Sequence, residues 1–220
     1  MTGETAPGRL ALPERTVASR LVVVARAARA EDYDGVLDVL VEAGIRSVEL
    51  TLTTPGTFDR WAALRERYES VLDLGIGTVT NAGDLARAID AGAAYVVTPI
   101  TDPALVAQAT DAGLPIVPGG LTPTELFSSW SAGASAVKIF PSGVVGPSYL
   151  TDLRGPFPDI VAMPSGGVDL DGAAAWLKAG AVAASVGGPL LGDAFRGGDL
   201  AALRDRAKAF VDVCAEAGDR

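Results

Sequence analysis

The sequence predicts an α/β protein of the (β/α)8 or TIM barrel class. Three observations carry this. Eight short apolar runs recur along the chain, and most are continuous rather than alternating, as in parallel strands buried on both faces. Stretches with helical spacing separate them. An Ala-Gly mark recurs at Gly44, Gly92, Gly113, Gly133 and Gly180, with gaps of 48, 21, 20 and 47 residues. Each long gap is about two short ones, and Gly155 falls near the middle of the second. A glycine just past a helix suits the left-handed C′ position, so the marks punctuate a repeated strand-helix unit. A length of 220 residues fits one such barrel. An open doubly wound sheet would place a GxGxxG turn after its first strand, where this chain reads VVVARAARA.

Taken in order, the strand runs are LVVVA from Leu21, SVELT from Ser47, VLDLG from Val71 and AYVVT from Ala94. They continue with PIVPG from Pro115, SAVKIF from Ser135, DIVAM from Asp159 and AASVG from Ala183. Helical spacing runs from Asp32 to Ala43. Asn81 is placed to cap a helix reaching Ala91. Thr122, Pro123 and Glu125 form a capping-box start. Residues 1–18 are expected to be a loose arm with one short helix, and residues 19–220 the barrel domain.

Composition narrows the chemistry. There is no histidine, which excludes Ser-His-Asp triads, Cys-His dyads and imidazole metal sites. No metal and no cofactor is expected. Cys214 is the one cysteine, so no disulfide forms within the chain and a cytoplasmic protein is expected; its helical run makes it packing filler. No signal peptide and no membrane span is expected. The net charge of −9 disfavours nucleic acid as a partner.

Barrel function collects at the carboxyl ends of strands. Two charges interrupt apolar strand runs there, Glu49 in SVELT and Lys138 in SAVKIF. A buried ion pair between them is the competing arrangement. Asp73 is a third strand charge, expected to be structural and to face the helices. A lysine in an apolar pocket loses the hydration of its ammonium, which makes a neutral amine more accessible. Such an amine attacks a ketone to give an iminium, an electron sink for a breaking carbon–carbon bond. A carboxylate then moves the proton of the hydroxyl that becomes a carbonyl. Glycine pairs follow the last two strands, Gly166-Gly167 after Ser165 and Gly187-Gly188, where barrel loops cradle phosphate with backbone amides. The run Gly75 to Thr78 is placed to bring amides and a hydroxyl to a carboxylate.

Together these residues resemble the 2-keto-3-deoxy-6-phosphogluconate (KDPG) and 4-hydroxy-2-oxoglutarate (KHG) aldolase family. The matching stretches run in order through VEAGIRSVELTL, GIGTVTN, VVTPI, LPIVPGGLTPTEL, AVKIFPS, MPSGGV and SVGG. The form from Lys138 to Pro147 is similar to the phosphogalactonate branch. The resemblance implies a class I aldolase releasing pyruvate and an aldehyde, a homotrimer, and a small keto acid as partner. It places the Schiff-base lysine on Lys138, the proton-transfer glutamate on Glu49 and keto-acid contacts on Thr78, Pro99 and Phe140.

The chain departs from the family pattern at three points. Thr53 stands where phosphogluconate members carry an arginine for the substrate carboxylate, and Arg26 at the end of the first strand is the cation placed to substitute. Ile100 follows Pro99, where Gly or Asn is common. Pro189 replaces the small hydroxyl residue that helps hold phosphate, and it has neither hydroxyl nor amide donor. These residues predict only a modest preference for phosphorylated substrates, with Arg26 and Arg196 the first cations that would raise it. A phosphosugar isomerase or synthase using Glu and Lys without covalent catalysis is one competing expectation. A non-catalytic anion-binding paralogue is the other.

Overall fold

The computed structural model describes residues 9–217. Its frame is a curled, wholly parallel sheet wrapped by helices. The strands are β1 (Leu21–Ala25), β2 (Ser47–Thr51), β3 (Asp73–Gly77), β4 (Tyr95–Val97), β5 (Ile116–Val117), β6 (Gly119–Gly120), β7 (Val137–Ile139), β8 (Ala162–Pro164) and β9 (Ala184–Val186). Six of them pair in the order β5-β4-β3-β2-β1-β9, and three in the order β6-β7-β8. Pro118 separates β5 from β6, and its carbonyl still accepts from the Lys138 amide. The fifth apolar run is therefore interrupted at a residue without an N–H. At the other edge, Ser165, just past β8, and Ser185, in the middle of β9, form an isolated parallel bridge.

The helices are α1 (Glu14–Ser19), α2 (Tyr33–Glu42), α3 (Thr57–Tyr68), α4 (Ala82–Asp90), α5 (Pro103–Asp111), α6 (Pro123–Ser131), α7 (Ser148–Leu153), α8 (Leu170–Lys178), α9 (Gly188–Leu191) and α10 (Leu200–Glu216). Their starts are built locally. Asn81, Asp102, Asp169 and Asp199 cap α4, α5, α8 and α10 by accepting backbone N–H groups. Thr122 and Glu125 complete the capping box of α6, with Pro123 in its first turn. Gly44 and Gly133 follow α2 and α6 with φ of +100° and +106°, as the Ala-Gly marks required. Gly155 sits just past α7 but is not among the glycines with positive φ. No helix among the described residues is long and apolar enough to cross a membrane.

Alternation sorts each strand into two faces. Val48, Leu50, Val137 and Ile139 pack with the helices in the larger core. Val22, Tyr95, Val97, Val117, Ala136, Met163 and Ala183 form a second cluster inside the curl, joined by Leu12 from the N-terminal segment. Cys214 is buried on α10, as packing filler, and burial pushes its thiol up to about 11.

Three expectations need correction. The third strand starts at Asp73 rather than Val71, because Val71 and Leu72 still turn back onto the Tyr68 carbonyl. Asp73 does not face the outer helices. It accepts from the Thr16 amide at 2.7 Å and the Thr16 hydroxyl at 3.0 Å. Thr16 in turn bonds Ser47, which bonds the buried Tyr95 hydroxyl. Asp73 thus points inward at the amino end of the sheet and caps α1, which has no side-chain cap of its own. Residues 9–18 are anchored rather than loose. Arg9 stacks 3.5 Å over the Trp130 ring and bonds the Trp130 carbonyl, Leu12 enters the inner cluster, and Thr16 is buried. Residues 1–8 of the expected arm lie outside the described residues.

Candidate active site

The carboxyl ends of the strands open into a cavity of about 380 Å³, within the range of small-molecule sites. Parity delivers its two central charges. Lys138 lies between outward Val137 and Ile139, so its side chain points inside, where it is 6% exposed. Glu49 lies between outward Val48 and Leu50 and is 1% exposed. Both line the cavity.

They are not an ion pair. Lys138 takes part in none of the salt bridges among the described residues. Its Nζ lies 4.9 Å from the centroid of the Phe140 ring, a cation–π contact. Glu49 Oε2 is buried with no hydrogen-bond partner. A buried carboxylate oxygen left unpartnered is costly to the fold, and such costs are carried at functional sites.

The neighbouring strand makes room for that carboxylate. Gly75 and Gly77 occupy the inward positions of β3, in register with Glu49 and Thr51. A side chain on Gly77 would strike Glu49, and one on Gly75 would strike the Tyr95 ring. Thr78, next along, lines the cavity with φ of +63°. That is a strained conformation for a β-branched residue, of the kind that clusters at functional sites.

The remaining wall is built from loops. Phe140 shares the parity of Lys138 and lies across Gly166, where an added β-carbon would come within 3.1 Å of its ring. The loops after β7 and β8 are zipped together by the Ser142 amide on the Ser165 carbonyl and the Gly143 amide on the Gly166 carbonyl. The amides of Gly167, Gly187 and Gly188 donate to no acceptor among the described residues, and these glycines line the cavity together with Gly166. Arg26, Pro99 and Ser165 line it as well. Pro189 is on the same wall and offers no N–H.

Thr53 is the one expected site residue that the fold does not bring here. The chain turns at Thr51–Thr54, with the Thr54 amide on the Thr51 carbonyl, and Thr53 is exposed, its hydroxyl donating to the buried Thr51 hydroxyl. It does not line the cavity, and neither does Ile100, which is 41% exposed. Arg196 does line it, together with Val24, Leu191, Gly192 and Phe195, which the sequence reading missed. Val24 was within reach of a parity argument, being two residues before Arg26. The others lie on or just after the four-residue α9 and the short helical turn Ala194–Arg196, which are too brief to give a periodic signal. Among the described residues no three His, Cys, Asp or Glu side chains gather as a metal-binding group.

The sequence profile of the KDPG and KHG aldolases matches residues 13–205. The chain is 31% identical to a probable 2-dehydro-3-deoxy-6-phosphogalactonate aldolase of Rhizobium meliloti, over 87% of this chain and 89% of that one. It is 30% identical to the 2-dehydro-3-deoxy-6-phosphogalactonate aldolase of Escherichia coli, over 90% and 95%. A solved structure described as native KDPGal superposes with a TM-score of 0.82 at 29% identity, covering 90% of this chain and 95% of the other.

Proposed function

The chain belongs to the KDPG and KHG aldolase family, and on that premise we propose that it is a class I aldolase cleaving 2-keto-4-hydroxy acids to pyruvate and an aldehyde. The observation that carries the reading is one relationship: buried Lys138 and buried Glu49 face the same cavity without pairing to each other. Each is left free for a substrate.

In the proposed cycle the neutral Lys138 amine adds to the C2 carbonyl. The resulting carbinolamine loses water to give a protonated imine. The Glu49 carboxylate, directly or through a water, takes the proton of the C4 hydroxyl. The C3–C4 bonding pair moves into the imine, giving an enamine as C4 becomes the aldehyde. The enamine takes a proton at C3, returning Glu49 to its carboxylate, and water then releases pyruvate and restores the Lys138 amine. Thr78, Pro99 and Arg26 are assigned to the keto-acid end. Phe140 and Ser165 wall the pocket. The unpaired glycine amides are assigned to the far end of the substrate.

The same reading covers the frame. We take the curled sheet to be a (β/α)8 barrel in which residues 116–120 count as one strand. Continuity through the Pro118 carbonyl and the Ser165–Ser185 bridge support it. We assign residues 19–220 to the barrel domain, closed at its amino end by α1, and a homotrimer as the working assembly on family grounds. The phosphogalactonate branch is favoured by two relatives matched over 89% and 95% of their length.

A pyruvate-release assay over a panel of 2-keto-4-hydroxy acids tests the function. Turnover of at least one member is expected. No pyruvate from any member would overturn the reading and favour an anion-binding paralogue.

A further inference from the structure

The wall built after β9 carries a cation that the cycle above does not use. Arg196 closes the short helical turn Ala194–Arg196 and lines the cavity. It forms no ion pair among the described residues. Its hydrogen bond within the chain is a long one, 3.4 Å to the Gly192 carbonyl. An exposed guanidinium with so little to hold it is available to a ligand.

The charge lining the cavity runs against that of the whole chain. Arg26, Lys138 and Arg196 face it with Glu49 as the one carboxylate, in a protein of net charge −9. With Lys138 as the protonated imine of the cycle, three cations stand against one anion and favour a ligand carrying more than one negative charge. The carboxylate of a keto acid supplies one, and it is fixed next to the carbon that Lys138 attacks. The second must lie at the other end of the ligand. Arg196 shares its stretch of wall with the unpaired amides of Gly187 and Gly188, and Pro189 interrupts that run of donors. A phosphomonoester, with three acceptor oxygens, matches a guanidinium beside several free N–H groups better than a carboxylate does.

We propose that Arg196 binds the terminal phosphate of the substrate, supplying the donor that Pro189 cannot. The proposal rests on the aldolase reading for the keto-acid end. It also revises the modest phosphate preference that Pro189 alone predicts. Arg196 is a specificity residue here and takes no part in bond breaking.

Two measurements test it. The first is kcat/KM of wild type, Arg196→Ala and Arg196→Lys on a phosphorylated keto sugar acid, its unphosphorylated twin and the dicarboxylate 4-hydroxy-2-oxoglutarate. The phosphorylated-to-unphosphorylated ratio should fall about tenfold or more in Arg196→Ala. The loss should lie mainly in KM, with partial recovery in Arg196→Lys. An unchanged ratio, equal losses on both twins, or a loss greatest on the dicarboxylate would overturn it. The second is calorimetric titration with glycerol 3-phosphate, which carries the phosphate but no keto group. Wild type should bind about tenfold or more tightly than Arg196→Ala. Equal affinity, or no binding by wild type, would overturn the proposal. This titration needs no turnover, so failure of the aldolase reading is seen in the keto-acid panel and failure of the Arg196 assignment in the titration.

Discussion

Glu49 stands over Gly77: a β-carbon on residue 77 would collide with the Glu49 carboxylate at Oε1. The two residues are on neighbouring strands, and the missing side chain of one is the space occupied by the other. Glycine at an inward strand position is a packing requirement here, since residue 77 is not among those with positive φ.

Gly77→Ala should therefore act through Glu49. The added methyl overpacks the inner face at a cost of about 1–3 kcal/mol and pushes the carboxylate off its position. We expect a fall in kcat with KM for the keto acid less affected. In the Gly77→Ala, Glu49→Gln double variant the loss in kcat should be no larger than in Glu49→Gln alone, because both act on one group. Additive losses measured in that cycle would refute the coupling.

Glu49→Gln keeps the shape and removes the base. General acid–base groups contribute about 10²–10⁴-fold, and kcat should drop by that order. Formation of the pyruvate adduct should slow less, since its proton transfers can use water. Steady-state kinetics within a few-fold of wild type would exclude the role.

Thr78 holds φ at +63°. Strain of this kind costs about 1–3 kcal/mol, and glycine removes it while adding about 0.5–1 kcal/mol of chain entropy. Thr78→Gly should leave the urea midpoint level or raise it, while KM for the keto acid increases as the hydroxyl is lost. A lowered midpoint together with an unchanged KM would show the threonine to be structural.

Burial pushes the Cys214 thiol up to about 11, from an ordinary value of 9.0. The folded state thus favours the neutral thiol. That stabilisation is complete below about pH 9 and is lost as pH rises toward 11, by at most about 3 kcal/mol. Urea midpoints of wild type should fall over this window more steeply than those of Cys214→Ala. Thiol reagents at neutral pH should label the denatured chain and barely touch the native one. Rapid native labelling would contradict the burial.

What the sequence made legible follows from contrast. Lys138 and Glu49 stood out because each is a charge in an otherwise apolar strand, and strand parity then sends both to one face. The glycine pairs stood out because two of them follow two successive strands. Gly75 and Gly77 were legible only as amide donors leading to Thr78, since the reason for glycine there is the neighbouring strand's side chain. Asp73 was assigned the wrong face because its partner, Thr16, comes from a helix outside the repeat. Thr53 was placed by its position in a family motif, and it is not among the residues that line the cavity. Arg196 ends a three-residue helical turn too short to leave a periodic signal, so a sequence pattern names it as a cation without placing it.

The central claim is that Lys138 is the residue that becomes covalently joined to the keto acid. The chain has three lysines, and the other two, Lys178 and Lys208, are exposed on α8 and α10. The most direct measurement is peptide mass spectrometry after incubation with pyruvate and borohydride. It should find one reduced pyruvyl adduct per chain, on Lys138, and none in Lys138→Ala or Lys138→Arg, whose guanidinium stays protonated. An adduct on Lys178 or Lys208, or no adduct on the wild-type protein, would contradict it.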